Sequence, residues 1–162
     1  MYTKRDLINS ISKDTAILKH LAEKITPEML DYKPTEKQRT LLELMQYIGC
    51  IIASSAEVIY QNNTDVYGTM FAHSTSITLD NFAHTLDAQL VMFTETINKF
   101  TDENLQEVVN IYGGGDNTKG SYLVDFCVKM SAAYKMQMFL YMKSAGIEDI
   151  GTPNLWAGMD MQ

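Results

Sequence analysis

Phe126-Cys-Val-Lys-Met130-Ser-Ala-Ala-Tyr134-Lys-Met-Gln137 is the centre of the last long helical pattern in this chain, which runs from Ser121 to Ala145. Met130, Tyr134 and Gln137 stand at i, i+4 and i+7, so they share one helix face. Leu123, Phe126, Cys127 and Tyr141 extend that face in both directions. Gly146, just after Lys143, suits the residue that ends a helix in a left-handed conformation. A long helix with one apolar stripe has to bury it against other elements, and the chain must supply partners with the same property.

It supplies three. Thr3 and Asp6 form a capping-box pattern ahead of Leu7, Ile8, Ile11, Thr15, Leu18 and Ala22, an amphipathic helix ending near Lys24. Thr40 and Glu43 cap a second helix carrying Leu41, Leu44, Met45, Ile48, Ile51, Ile52 and Ile59, which stops near Tyr60. A third begins near Asp80 and lines Phe82, Leu86, Leu90, Phe93, Ile97 and Phe100 along one face. The spacing predicts an all-α, four-helix bundle forming one domain over residues 1–162, with the tail 146–162 packed on it. The lone Trp156 is expected to dock in a groove, because an exposed indole leaves a large apolar area in water. Residues 61–77 lack periodicity apart from one short turn at Val66–Ala72. They read as a loop over a site or a crossover between non-adjacent helices. Val108 to Tyr112 alternates weakly and suits an extended segment, and Gly113 to Asn117 a turn.

The formal net charge is −7 and no Lys/Arg run exceeds Lys4-Arg5, which opposes binding to nucleic acid. The N-terminal stretch lacks the apolar core of a signal peptide, and no apolar run reaches the roughly 20 residues that span a bilayer. The expected location is the cytoplasm, with no membrane association. The two cysteines, Cys50 and Cys127, fall within helical patterns and read as reduced thiols.

Several segments in order resemble the DinB-like superfamily of bacterial four-helix bundles. They are Ile25-Thr-Pro-Glu-Met-Leu-Asp-Tyr32-Lys-Pro34, Arg39-Thr40-Leu-Leu-Glu-Leu-Met-Gln-Tyr47-Ile48, Gly113 through Thr118-Lys119, and Tyr134-Lys-Met-Gln137 with Tyr141 and Gly146. The resemblance implies a bundle with long cross-connections, often a homodimer. In the family, three histidines often hold one divalent metal, one on the second helix and two on the last. Carried over by position, those sites are Tyr47, Met130 and Tyr134, none of them histidine.

A phenol must lose a proton near pH 10 to ligate, and a thioether is soft, so this set is a poor one for zinc or nickel. No metal or other cofactor is expected. The three histidines, His20, His73 and His84, show no i, i+3 or i, i+4 pairing with one another. Tyr47, Met130 and Tyr134, joined by Gln137 and Glu43, are the candidate lining of a cleft at the former metal position. That cleft is either open to a small, partly apolar ligand or filled by its own side chains. Cys50 lies three residues after Tyr47, and Cys127 three before Met130. Antiparallel helices would set both sulfurs at one level, a candidate redox pair beside the simpler reading of two packed thiols. Gly113-Gly-Gly-Asp-Asn-Thr-Lys119-Gly-Ser121 has its Lys on the wrong side of the Gly for a phosphate loop. The methionines on helices, Met92 and Met130 among them, default to core packing. The functional expectation is a metal-free, non-catalytic or small-molecule-binding protein. The alternatives are a thiol-dependent transferase or hydrolase-type enzyme with an altered site, and a homodimeric interaction module.

Overall fold

The computed structural model describes residues 3–160, so Met1, Tyr2, Met161 and Gln162 of the predicted domain lie outside it. The fold is all-α, with one two-residue strand pair. Helix α1 is Lys4–Ala22, and α2 is Leu41–Gln61. A short α3, Val66–Phe71, and a 3-10 turn at Ser74–Ser76 lead into α4, Leu79–Lys99. Then come α5 at Asp102–Gln106, β1 at Val108–Val109, β2 at Asn117–Thr118 and α6 at Lys119–Leu123. A π-helical turn, Val124–Lys129, joins α6 to α7, Met130–Ser144, and α8 is Thr152–Ala157. The capping boxes form as the sequence predicts. The Asp6 and Glu43 amides donate to the Thr3 and Thr40 hydroxyls, and their carboxylates accept from the Thr3 and Thr40 amides.

Pairs of contacts fix the helix directions. Lys4 at the start of α1 donates to the Phe100 carbonyl just after α4, and Lys19 near its end pairs with Asp87, so α1 and α4 are antiparallel. Gly49 lies against Thr85 and Glu57 against Thr96, so α2 and α4 run parallel as neighbours. Tyr47 meets Tyr134 and Ile52 meets Cys127, so the last helix is antiparallel to α2. Parallel neighbours need a return path. Residues 62–78 must travel back along α2, about 30 Å at 1.5 Å per residue. The connection is a crossover, but it links adjacent helices rather than the non-adjacent pair expected, because Gly49 brings α4 directly against α2. The Gln46 side chain pins its far end by donating to the Ile77 carbonyl. Among the described residues α2 is the one helix long and apolar enough to cross a membrane, longer than the sequence reading allowed. The bundle buries 72% of that stretch.

The last helix departs from the predicted unbroken α-helix. A π turn holds an extra residue, so the helix beyond it emerges rotated. Ser131, Lys135, Met138 and Met142 face inward, while Met130, Tyr134 and Gln137 are half-buried at the edge. Apolar periodicity overlooked this face because two of its members are polar. Lys135 is 4% exposed, and its Nζ lies 2.6 Å from Asp14 Oδ1. Ser131 Oγ donates to Asp14 Oδ2 at 2.9 Å.

The tail packs through Ile150, Asn154 and Leu155. Asn154, wholly buried, accepts from the Gly151 amide and shares hydrogen bonds with His20 and Asp160. The expected docking of Trp156 does not occur: it is 56% exposed. Leu155 takes the inward position, and the next residue on a helix points about 100° away. The indole instead covers Lys135, whose Nζ is 5.2 Å from the ring centroid.

Lys135→Met leaves Asp14 without its cation and should cost about 3 kcal/mol, whereas adding Asp14→Leu should recover most of that loss. Urea unfolding of the two variants measures both quantities. A double variant no better than the single one would mean that the pair does not set this helix interface.

Candidate functional site

The resemblance places the candidate site where α2 faces α7. The Tyr47 and Tyr134 ring centroids are 4.9 Å apart at 61°, an edge-to-face pair. Phe71 from α3 approaches Tyr47 from another side, at 5.5 Å. The Arg39 guanidinium, just ahead of the α2 cap, sits 4.2 Å from the Tyr47 centroid. Met130 is half-buried in the same apolar cluster as Tyr47. The neighbouring void, bordered by Tyr134, Ser131, Thr15 and Gln89, measures about 10 Å³, the size of one water. That void touches Tyr134 but neither Tyr47 nor Met130.

The other expected lining residues point to different tasks. Gln137 Nε2 donates to the Tyr141 hydroxyl at 3.1 Å. Glu43 is exposed, and its carboxylate accepts from the Thr40 amide at 2.7 Å. Arg39, Phe71, Tyr67 and Tyr112 complete the site without having been singled out in the sequence. Ring contacts continue from Phe71 to Tyr67, from Tyr67 to Tyr112, and on to Phe126 and Tyr122. Their hydroxyls are joined as well. Tyr67 bonds Tyr112 at 2.7 Å and Ser55 at 3.0 Å. One signal was readable: Tyr67 and Phe71 stand at i and i+4 on a short helix.

Burial raises the Tyr47 phenol well above its ordinary value of 10, and the adjacent Tyr134 hydroxyl adds to the effect. Burial, then Tyr67, raises Tyr112 in the same way. These phenols hold their protons. A divalent metal at Tyr47, Met130 and Tyr134 would have to displace a proton held more tightly than usual and separate two packed rings. The residues present do not fit the family's ion.

Both cysteines are free. Cys50 donates to the Gln46 carbonyl at 3.2 Å, and burial pushes its thiol up to about 12. Cys127 is wholly buried beside the Ile52 carbonyl, and burial raises its thiol too. The two are placed differently: Cys50 lines a groove of about 330 Å³ against α4 and the crossover, and Cys127 lies in the core. His20 bonds Asn154, whereas His73 and His84 are exposed. Among the described residues no three of His, Cys, Asp and Glu gather as a metal site. A larger cavity of about 960 Å³ opens at the bundle end where α1 and α6 begin, lined by Arg5, Ile8, Asp102, Leu105, Gln106 and Val124.

A phenol whose folded pKa is raised keeps its full contribution to stability below the unfolded value and loses it as pH rises through the folded one. Stability should thus hold up to about pH 10 and then fall, with Tyr47→Phe and Tyr112→Phe each flattening the fall. Unfolding midpoints followed into the alkaline range test this, and an unchanged profile in both variants would contradict it.

No protein-family model and no curated protein matches the sequence. Solved structures do. A DinB-like protein of Bacillus subtilis, YjoA, is similar with a TM-score of 0.71 and 18% identity, over 90% of this chain and 96% of that one. A DinB-like protein of Bacillus cereus is similar with a TM-score of 0.65 and 17% identity, over 91% of this chain and 96% of that one. At such identities it is the architecture that is shared, and this chain has the DinB-like fold.

Proposed function

We propose that this protein is a non-catalytic DinB-like bundle that does without the family's divalent metal and binds a small, partly apolar molecule. The observation that carries this reading is the Tyr47–Tyr134 pair. At two of the three positions where the family places imidazoles, two phenols pack edge to face 4.9 Å apart, and burial holds the proton on Tyr47. Catalysis through a thiol is opposed by Cys50, whose raised pKa leaves little thiolate near neutral pH. The ring contact between Tyr47 and Tyr134 supports placing the binding reading at the end cavity instead. Its volume of about 960 Å³ falls within the range of small-molecule sites. Its apolar walls, Ile8, Leu105 and Val124, and its cations, Lys4 and Arg5, suit a compact apolar body carrying an acidic group. A homodimer in the cytoplasm is part of the same proposal, and light scattering on eluted protein checks its first half.

Protein purified without added metal should contain no stoichiometric zinc or nickel by elemental analysis, and EDTA should leave its melting temperature unchanged. A full equivalent of either metal would overturn the metal-free reading. The aromatic sulfonate 8-anilinonaphthalene-1-sulfonate should bind the native protein, and Gln106→Trp at the cavity rim should weaken it about tenfold. Binding indifferent to that substitution would remove the end cavity as the site.

A further inference from the structure

We propose that the groove between α2, the crossover and α4 is a binding site for a soft monovalent cation, copper(I), held by the Cys50 sulfur, the Met70 and Met92 thioethers and the His73 imidazole. All four residues line one groove of about 330 Å³, and no other function in this molecule uses them. The floor is made by small residues of α2, Gly49 and Ala53, with the half-buried Cys50 between them, its thiol donating to the Gln46 carbonyl. Met70 and His73 come from α3 and the turn after it, and Met92 comes from α4.

Met70 also packs on the core edge, but core packing does not explain Met92 or His73. Met45, Met138 and Met142 are fully buried, as helix methionines are expected to be, but Met92 is 44% exposed. His73 is exposed, and among the described residues its ring has no hydrogen-bond partner. The donor types then select the ion. Thiolate and thioether are soft ligands that favour copper(I), while two thioethers and a single imidazole serve zinc poorly.

Binding replaces the thiol proton. The S–H bond breaks, a sulfur–copper bond forms, one proton leaves to solvent, and copper remains copper(I). The product pairs one negative sulfur with one positive ion, so the apolar floor receives no net charge, and an isolated ion of either sign would be costly there. Cys50 and Met92 ride on long helices and Met70 and His73 on the crossover, so three separate segments supply the donors.

The test is an anaerobic titration of the reduced full-length protein with copper(I), using bicinchoninate as a coloured competitor. The expected result is one equivalent bound, one proton released and a near-ultraviolet sulfur-to-copper band. Cys50→Ser should weaken binding by about a hundredfold or more. The double variant Met70→Leu, Met92→Leu keeps side-chain volume and should weaken it about tenfold. Cys127→Ala should retain the site, and zinc should not compete. Circular dichroism confirms that each variant is folded. The proposal is overturned if copper(I) fails to bind, if Cys50→Ser binds as well as the native protein, or if the double Met variant keeps native affinity, which would reduce the event to capture by a bare thiol. Zinc or nickel at Tyr47 and Tyr134 would instead count against the metal-free reading of the family position, so the two failures are distinguishable.

Discussion

Gly49 allows α4 to approach α2 so closely that a Cβ at that position would stand 2.8 Å from Ile77 Cδ1 and 3.3 Å from Thr85 Cγ2. One turn further along, the buried Gln89 amide reaches into α2. Its oxygen accepts from the Ile52 amide at 2.9 Å, and its nitrogen donates to the Ile48 carbonyl at 2.9 Å. A buried amide is costly unless both ends are satisfied, and here both are. These contacts hold two neighbouring helices parallel. Parallel neighbours force residues 62–78 to run back along the bundle. That return path carries Phe71 onto Tyr47, Tyr67 onto Ser55 and Tyr112, and Met70 and His73 over Cys50. The aromatic junction and the soft-donor groove thus both descend from one close helix approach.

The junction also ties α2 to α7 through aromatic side chains. Three imidazoles around an ion would tie α2 to α7 by coordination. Here the tie is an aromatic chain, in which each well-placed ring pair adds about 0.5–1.5 kcal/mol beyond the area it buries. Arg39 on the outer face of Tyr47 and the hydroxyl chain through Tyr67 keep the polar edges of the rings engaged. The cost is chemical. Half-buried phenols with raised pKa values, like Tyr47 and Tyr112, offer no base matched to neutral pH.

Much of this was legible in the sequence. Caps at Thr3 and Thr40, the apolar stripes and the long 61–77 connection were enough for an all-α bundle, and the segments around Tyr32, Tyr47 and Tyr134 pointed to the DinB-like fold. The site was legible only in its centre. Tyr47 and Tyr134 meet, but Glu43 is taken by its helix cap, a role its position three residues after Thr40 already announced. Arg39 and Phe71 escaped because cation–π and ring contacts across a crossover leave no periodic trace. Met92 was read as core because a methionine on a helix usually is, and nothing local says which face it takes. The π turn left no composition signal, and the helix beyond it turns inward residues that a hydrophobic reading passes over.

That inward face is where the polar core explains itself. Rotating α7 so that Met130 and Tyr134 pointed to the centre would match the apolar pattern better, but it would leave Asp14 half-buried without Lys135 or Ser131. An unpaired carboxylate in that setting costs several kcal/mol, more than the extra apolar burial returns. The ion pair is therefore better understood as a selector of register than as a source of stability. It keeps Lys135 inside, under the Trp156 ring, and Tyr134 at the edge, where its ring meets Tyr47. The π turn, the buried pair and the aromatic junction are one arrangement, because none of the three can shift by a residue without breaking the other two.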